Sequence, residues 1–167
     1  MEKIKWGIIG PGNIANNFAD GLKGSYSGQL VSIASKSEDR RKNFGDKYDI
    51  HPDFRFDSYE DIINSEHIDA IYISTPHTLH AQWTIKAAGK GKHILCEKPG
   101  AINFNEGKKI IDAVREAGVF YMEGFMYRCH PQIPKLVEII KNKIIGDVIS
   151  VETSFGFDMG KTIPDHR

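Results

Sequence analysis

The sequence predicts an α/β fold, a doubly wound parallel sheet. Three observations carry that expectation. Residues 4–22 read in succession as strand, tight glycine turn and helix. Near-continuous apolar runs at Asp69–Ser74 and His93–Cys96 have the character of parallel strands buried on both faces. Strand-like and helix-like segments then alternate along the chain, the pattern that generates a parallel sheet.

The first element sets the reading of the rest. Ile4 to Ile9 is a mostly apolar run that breaks at Gly10-Pro11-Gly12, and Ile14, Ala15, Phe18, Ala19 and Leu22 follow at the spacing of one helix face. Gly10, Gly12 and Ala15 fit G-x-G-x-x-G/A. In that pattern the first glycine makes the turn, the second lets the backbone approach a pyrophosphate, and the third small residue lets helix pack on strand. Free N–H groups and the positive dipole end at the helix start favour a phosphate there. Gly10, Gly12, Asn13 and Ile14 are therefore the expected pyrophosphate cradle, against the alternative of an ordinary glycine-rich turn.

Gly24 and Gly28 bracket a turn, and Leu30 to Ser35 reads as the second strand. About 20 residues past the glycines an NAD site carries Asp or Glu for the ribose hydroxyls. Here the residues are Ser35-Lys36-Ser37. A carboxylate would repel a 2′-phosphate, whereas Ser35 can donate to it, Lys36 can neutralise it, and Arg40 or Arg41 stands one turn into the next helix. NADP is preferred over NAD on this ground. The plainer account makes Ser37 the cap of a helix Glu38–Lys47 and Lys36 a solvated charge.

His51-Pro52 opens a loop, and Tyr59 to Ile63 looks like a short helix capped by Ser58. The strand Asp69–Ser74 stops at Thr75-Pro76-His77. Ligands of open parallel sheets bind outside the carboxyl ends of strands, so Ser74, Thr75 and Pro76 are expected on the cofactor side. His77 and His80 stand three apart at the start of a helix Thr78–Ala88. No Cys or carboxylate completes a zinc spacing nearby, so no metal is expected, and His80 is assigned a capping or cofactor-contact role.

Gly89 and Gly91 end that helix, and strand His93–Cys96 delivers Glu97-Lys98-Pro99. A lysine at the end of a parallel strand stands where nicotinamide and substrate would meet. Hydride loss from a carbinol leaves a proton on oxygen, and a lysine of lowered pKa can take it or return it. Lys98 is the catalytic candidate; Glu97, pointing to the opposite side of an extended chain, is expected to orient cofactor or backbone. A Lys-Pro surface turn is the alternative. Asn103 to Ala117 is an amphipathic helix with Ile110, Ile111 and Val114 on its buried face, ended by Gly118, and Val119–Glu123 is a further strand.

Composition narrows the partners. The 167 residues suffice for one compact domain and a remainder. Basic and acidic residues balance at 22 each and 40% of residues are hydrophobic, which argues against a nucleic-acid surface or a disordered polyanion. A small-molecule partner is expected. Met1-Glu2-Lys3 leads into the first strand without an apolar leader, and no run approaches membrane-spanning length, so a cytoplasmic protein with no membrane partner is expected. Cys96 and Cys129 are read as a reduced pair.

Glu97-Lys98-Pro99, followed by Glu123-Gly124-Phe125-Met126-Tyr127-Arg128-Cys129-His130-Pro131, resembles the glucose-fructose oxidoreductase and inositol dehydrogenase family. The likeness is closest to its NADP-linked dihydrodiol and D-xylose dehydrogenase branch. The glycine loop, Ser35-Lys36, Ser74-Thr75-Pro76 and Met126-Tyr127-Arg128 fall in the family's order. The resemblance implies a Rossmann domain, Lys98 as the family's catalytic lysine, a cis Lys98–Pro99 bond, and Tyr127 and Arg128 beside the cofactor. A packed junction between domains is the other account of Tyr127 and Arg128.

Family members are about twice as long and carry a second domain on a mostly antiparallel sheet that supplies substrate contacts and often the oligomer interface. The resemblance thus divides the chain into a dinucleotide-binding domain, residues 1–123, and the start of an incomplete α+β domain for substrate and oligomerisation, 124–167. Pro134–Lys141 is expected as the connecting helix and Val148–Phe157 as a first strand. The family's second acid-base motif has no match, and Asp165-His166 does not supply it. The chain is read as an N-terminal part of a homo-oligomeric, NADP-dependent oxidoreductase acting on a carbohydrate or vicinal diol. A non-catalytic NAD(P)-binding sensor or regulatory module is the alternative.

Overall fold

A computed structural model describes residues 2–156 and 158. The chain divides into two compact units, Met1–Phe125 and Met126–Arg167.

The first unit holds six strands: β1 (Ile4–Ile9), β2 (Gly28–Ala34), β3 (Arg55–Phe56), β4 (Ala70–Ile73), β5 (His93–Cys96) and β6 (Tyr121–Glu123). All pair in parallel, in the order β3-β2-β1-β4-β5-β6. Its helices are α1 (Asn13–Lys23), α2 (Glu38–Lys47), α3 (Tyr59–Asn64), α4 (His80–Ala88) and α5 (Phe104–Ala117). Strand order reverses between β1 and β4, which opens a crevice at their carboxyl ends. Register makes that edge straight: Ile9 pairs with Ala34 and Ile73, and Ile73 with Cys96. Gly10, Ser35, Ser74 and Glu97 therefore leave the sheet in one row.

Alternation along each strand splits the core between two faces. Ile9, Ile71, Ile73, Ile94 and Cys96 pack with Ile62 and Ile63 of α3 and Trp83 and Ala87 of α4. On the other face Ile8, Ile33 and Tyr72 pack with Ala15 and Ala19 of α1 and Phe44 and Tyr48 of α2. Each fully buried isoleucine contributes roughly 1.5–3 kcal/mol of transfer free energy, so the isoleucine-rich strands dominate the stability of the sheet.

Local departures from expectation have local causes. β3 is two residues long and pairs only through Ile33 with Arg55 and Ala34 with Phe56, too short to leave an alternating pattern. Residues 77–79 form a 3-10 turn, and α4 proper begins at His80. Ile110 is buried, but Ile111 is 39% exposed, on the flank of α5 rather than under it.

In the second unit, a 3-10 turn at Met126–Cys129 precedes α6 (Gln132–Lys141). α6 starts two residues before Pro134, because a proline in the first turn gives up an N–H that has no intrahelical partner there. The expected strand Val148–Phe157 does not form over residues 148–156, and Phe157 lies outside the described residues. A strand exists through pairing, and no described segment pairs with this one; Ile149 and Val151 remain exposed. No described helix is long and apolar enough to cross a membrane.

Candidate functional site

Gly10 ends β1 with φ +91°, and a Cβ there would lie 3.1 Å from the Ser74 carbonyl oxygen. The position demands glycine twice over, by its left-handed backbone and by its contact with the end of β4. The contact is bonded: Ser74 Oγ donates to Gly10 O at 2.7 Å, and Ser74 N donates to Ile9 O at 3.0 Å. Ser74 thus ties the glycine turn to β4.

Gly12 is different. Its backbone is ordinary and extended, and a Cβ would meet nothing within 4 Å. No side chain caps α1 and no acidic residue occupies its first turn, whereas Ser37, Ser58 and Asn103 cap α2, α3 and α5. Asn13 is exposed and Ile14 half-buried at this start. An open, uncapped helix N-terminus at the switch point offers N–H groups and positive potential to an anion.

Ser35, at the end of β2, is 4% exposed. Its Oγ accepts from Ser37 N at 3.2 Å and keeps its own proton to donate. Arg41 Nη1 donates to Ser35 O at 2.6 Å, and Ser37 Oγ accepts from Arg40 N, so Ser37 does cap α2. Lys36 is exposed, its Nζ 5.9 Å from the centre of the Tyr59 ring. Burial raises the Tyr59 phenol pKa and the Arg40 guanidinium opposes that rise, which puts Arg40 on the same side. Three cations therefore gather at this strand end.

At the end of β4, Thr75 is 7% exposed and its Oγ1 is buried without a hydrogen-bond partner among the described residues, while Pro76 is exposed. His80 is fully buried, with Nδ1 2.7 Å from Pro99 O and Nε2 2.8 Å from Thr75 O. Both ring nitrogens are thereby engaged with backbone, and the ring braces the ends of β4 and β5 from inside.

β5 delivers Glu97, whose N–H donates to Ile73 O and whose Oε1 accepts from Tyr72 Oη at 2.6 Å. Lys98 is exposed, and the Lys98–Pro99 bond is cis. Gly100 N donates to Glu123 Oε1 at 2.7 Å, fixing the far side of the turn. Burial pushes the Cys96 thiol up to about 12, so it keeps its proton near neutral pH. Tyr127 and Arg128 belong to the second unit, in its 3-10 turn.

Tyr72 and Glu123 are the site residues that sequence reasoning missed. Glu123 was read only as the end of a strand and the first residue of the stretch Glu123–Pro131, with no site role. Tyr72 left a faint one, a single hydroxyl in the otherwise aliphatic strand Ala70-Ile71-Tyr72-Ile73.

A parallel sheet of this order, open at its switch point and bearing a lysine two strands away, defines a dinucleotide-binding domain. Residues 4–125 match the GFO/IDH/MocA oxidoreductase family, described as having an NAD-binding Rossmann fold. The chain belongs to that family.

Among its relatives is mouse trans-1,2-dihydrobenzene-1,2-diol dehydrogenase, 32% identical over 158 residues, which are 93% of this chain and 47% of the mouse protein. D-xylose 1-dehydrogenase (NADP(+)) 2 of Haloferax volcanii is 33% identical over 164 residues, 98% of this chain and 50% of the relative. A 3-ketoreductase from Actinomadura kijaniata, solved with TDP-benzene and NADP in an open conformation, superposes with a TM-score of 0.78 at 31% identity, covering 87% of this chain and 45% of that one. The chain spans about half the length of the curated relatives it matches.

Proposed function

We propose that this chain is the cofactor-binding part of an NADP-dependent dehydrogenase or reductase that moves hydride between nicotinamide and a CH–OH carbon of a sugar-like or vicinal-diol substrate. The observation that carries the reading is the single row at the carboxyl edge. There the cations after β2, the open α1 N-terminus after β1, the ends of β4 and β5, and Lys98 follow one another across the sheet in the order in which NADP presents its 2′-phosphate, pyrophosphate and nicotinamide. The residues present fit the group. Gly12 leaves space that none of the described residues uses, and Thr75 Oγ1 is a buried hydroxyl without a hydrogen-bond partner among them.

In this reading Gly10, Gly12, Asn13 and Ile14 hold the pyrophosphate, and Ser35, Lys36 and Arg40 take the 2′-phosphate. Ser74, Thr75, Pro76 and Glu97 line the nicotinamide end, and His80 braces them. NADP supplies the hydride acceptor at its nicotinamide ring. Lys98 Nζ receives the hydroxyl proton of the substrate on oxidation and returns it on reduction. The NADP-linked xylose dehydrogenase and the NADP-bound ketoreductase support the cofactor assignment, and the diol and sugar relatives support the substrate class. Assembly of the whole protein into homo-oligomers belongs to the same reading.

Titration of the 167-residue protein with NADPH and with NADH, followed by cofactor fluorescence, tests it. Tight NADPH binding with weak NADH binding is the expected result. Binding of neither would end the reading.

A further inference from the structure

Glu97 and Lys98 are neighbours, and a carboxylate beside an acid-base lysine works against it, because ion pairing holds the ammonium protonated. In the structure the two side chains form no ion pair, and Glu97 Oε2 instead accepts from the Lys98 backbone N–H at 3.3 Å. Tyr72 is 2% exposed and donates from Oη to Glu97 Oε1 at 2.6 Å. Phe18 of α1 stacks on the Tyr72 ring, centroids 4.2 Å apart and planes 26° from parallel, and Trp6 meets Phe18 edge-on at 5.2 Å. The ring that aims the hydroxyl is therefore held by packing on its own side of the sheet.

The carboxylate also has a slot. A Cβ at Gly124 would stand 3.2 Å from Glu97 Oε1 and 3.3 Å from the Cys96 carbonyl oxygen, so the bare glycine leaves room that a side chain would crowd. Gly124 N donates to Cys96 O at 2.7 Å, which fixes the wall of the slot. Burial, and then the bond to Glu97, raise the Tyr72 pKa far above that of an ordinary phenol, so the hydroxyl keeps its proton and remains a donor. Among the described residues no carboxylate forms an ion pair with Lys98 Nζ, although one is its immediate neighbour in sequence.

We propose that Tyr72 is a positioning residue whose hydroxyl holds the Glu97 carboxylate in the slot beside Gly124 and away from the Lys98 ammonium, leaving Lys98 free to exchange a proton with a substrate hydroxyl. The proposal rests on the acid-base reading of Lys98, but its test needs neither cofactor nor substrate. Amine acylation by an N-hydroxysuccinimide acetate ester proceeds through the neutral amine. Timed labelling of the intact chain, read lysine by lysine by mass spectrometry against exposed Lys90 and Lys109, thus reports whether Lys98 is paired.

Tyr72→Phe removes only the hydroxyl and should slow Lys98 labelling about tenfold, the effect of one pKa unit from a newly adjacent carboxylate. The double variant Tyr72→Phe/Glu97→Gln should restore the original rate. An unchanged Lys98 rate in Tyr72→Phe, or a slowing that persists in the double variant, overturns the proposal. Glu97→Gln alone should leave Lys98 labelling as it is. A several-fold acceleration there would mean that Glu97 already pairs with Lys98, and would overturn the proposal even if Tyr72→Phe failed to fold. Absence of NADPH binding would instead remove the dehydrogenase reading and leave these rates as they stand.

Discussion

Two glycines two residues apart in one turn serve different masters. Gly10 answers to the chain itself, through φ +91° and the Ser74 carbonyl 3.1 Å from where its Cβ would be. At Gly12 a Cβ would meet nothing within 4 Å among the described residues. Gly10→Ala should therefore destabilise the protein by about 1–3 kcal/mol in denaturant unfolding, the cost of a strained non-glycine residue. Gly12→Asp should fold at least as well, since Asp is a good N-cap, yet weaken NADPH binding more than about 100-fold by setting a carboxylate against the phosphates. A Gly12→Asp protein that binds NADPH normally would show that the open helix end is not the grip. At the end of β2, Lys36→Asp should shift the ratio of NADPH to NADH affinity about tenfold toward NADH, because a charge-assisted contact to the 2′-phosphate becomes a repulsion. Titration with both cofactors reads that ratio directly, and an unaltered ratio counts against the phosphate contact.

Elements of this fold rest on caps and isoleucines more than on propensity. Ser58 Oγ accepts from Glu60 N at 3.1 Å and Asp61 N at 3.3 Å, holding the start of a six-residue helix that could not persist alone. Ser58→Ala should cost about 1 kcal/mol and Ile62→Ala, fully buried beneath β1, about 2–5 kcal/mol, both measurable as shifts in urea midpoint. Such elements were legible because each carries its own signature. Ser37, Ser58 and Asn103 announce helix starts, Gly118 in the left-handed region announces a helix end, and Ala70–Ile73 is apolar throughout. What was not legible depends on contacts distant in sequence. β3 exists because Arg55 and Phe56 lie beside β2, and the role of Tyr72 exists because Glu97, 25 residues away, stops within reach of its hydroxyl. The stretch 148–156 failed as a strand for the same reason, since its pattern promised pairing that only a partner could complete.

For the molecule as a whole, buried acids that stay protonated tie stability to pH. Burial raises the pKa of Tyr72, Tyr121 and Cys96, the last from 9.0 to about 12. In each case the unfolded chain loses its proton at lower pH than the folded one, so the stability they contribute is complete below their unfolded pKa values and falls as pH rises above them. Between pH 8 and pH 10.5 the Cys96 contribution alone should fall by about 2 kcal/mol, and Cys96→Ala should flatten that part of a denaturation–pH curve. A curve that is level through pH 10.5 would contradict the burial of these groups. The division after Phe125 yields a second expectation. Residues 1–125 alone should retain NADPH binding, because every cradle residue from Gly10 to Lys98 lies within them. Loss of binding would show that residues 1–125 do not suffice for the grip. The bond from Ser74 Oγ to Gly10 O has a wider meaning for the proposed cofactor. It joins the phosphate turn on β1 rigidly to β4, and β5 with Lys98 lies one strand further on, so turn and lysine are separated by two strand spacings, about 10 Å. The sheet thus acts as a ruler. On the proposed reading, a nicotinamide compound would be measured for length before any reaction began, and one whose ring sat at the wrong remove from its diphosphate would be gripped without being turned over.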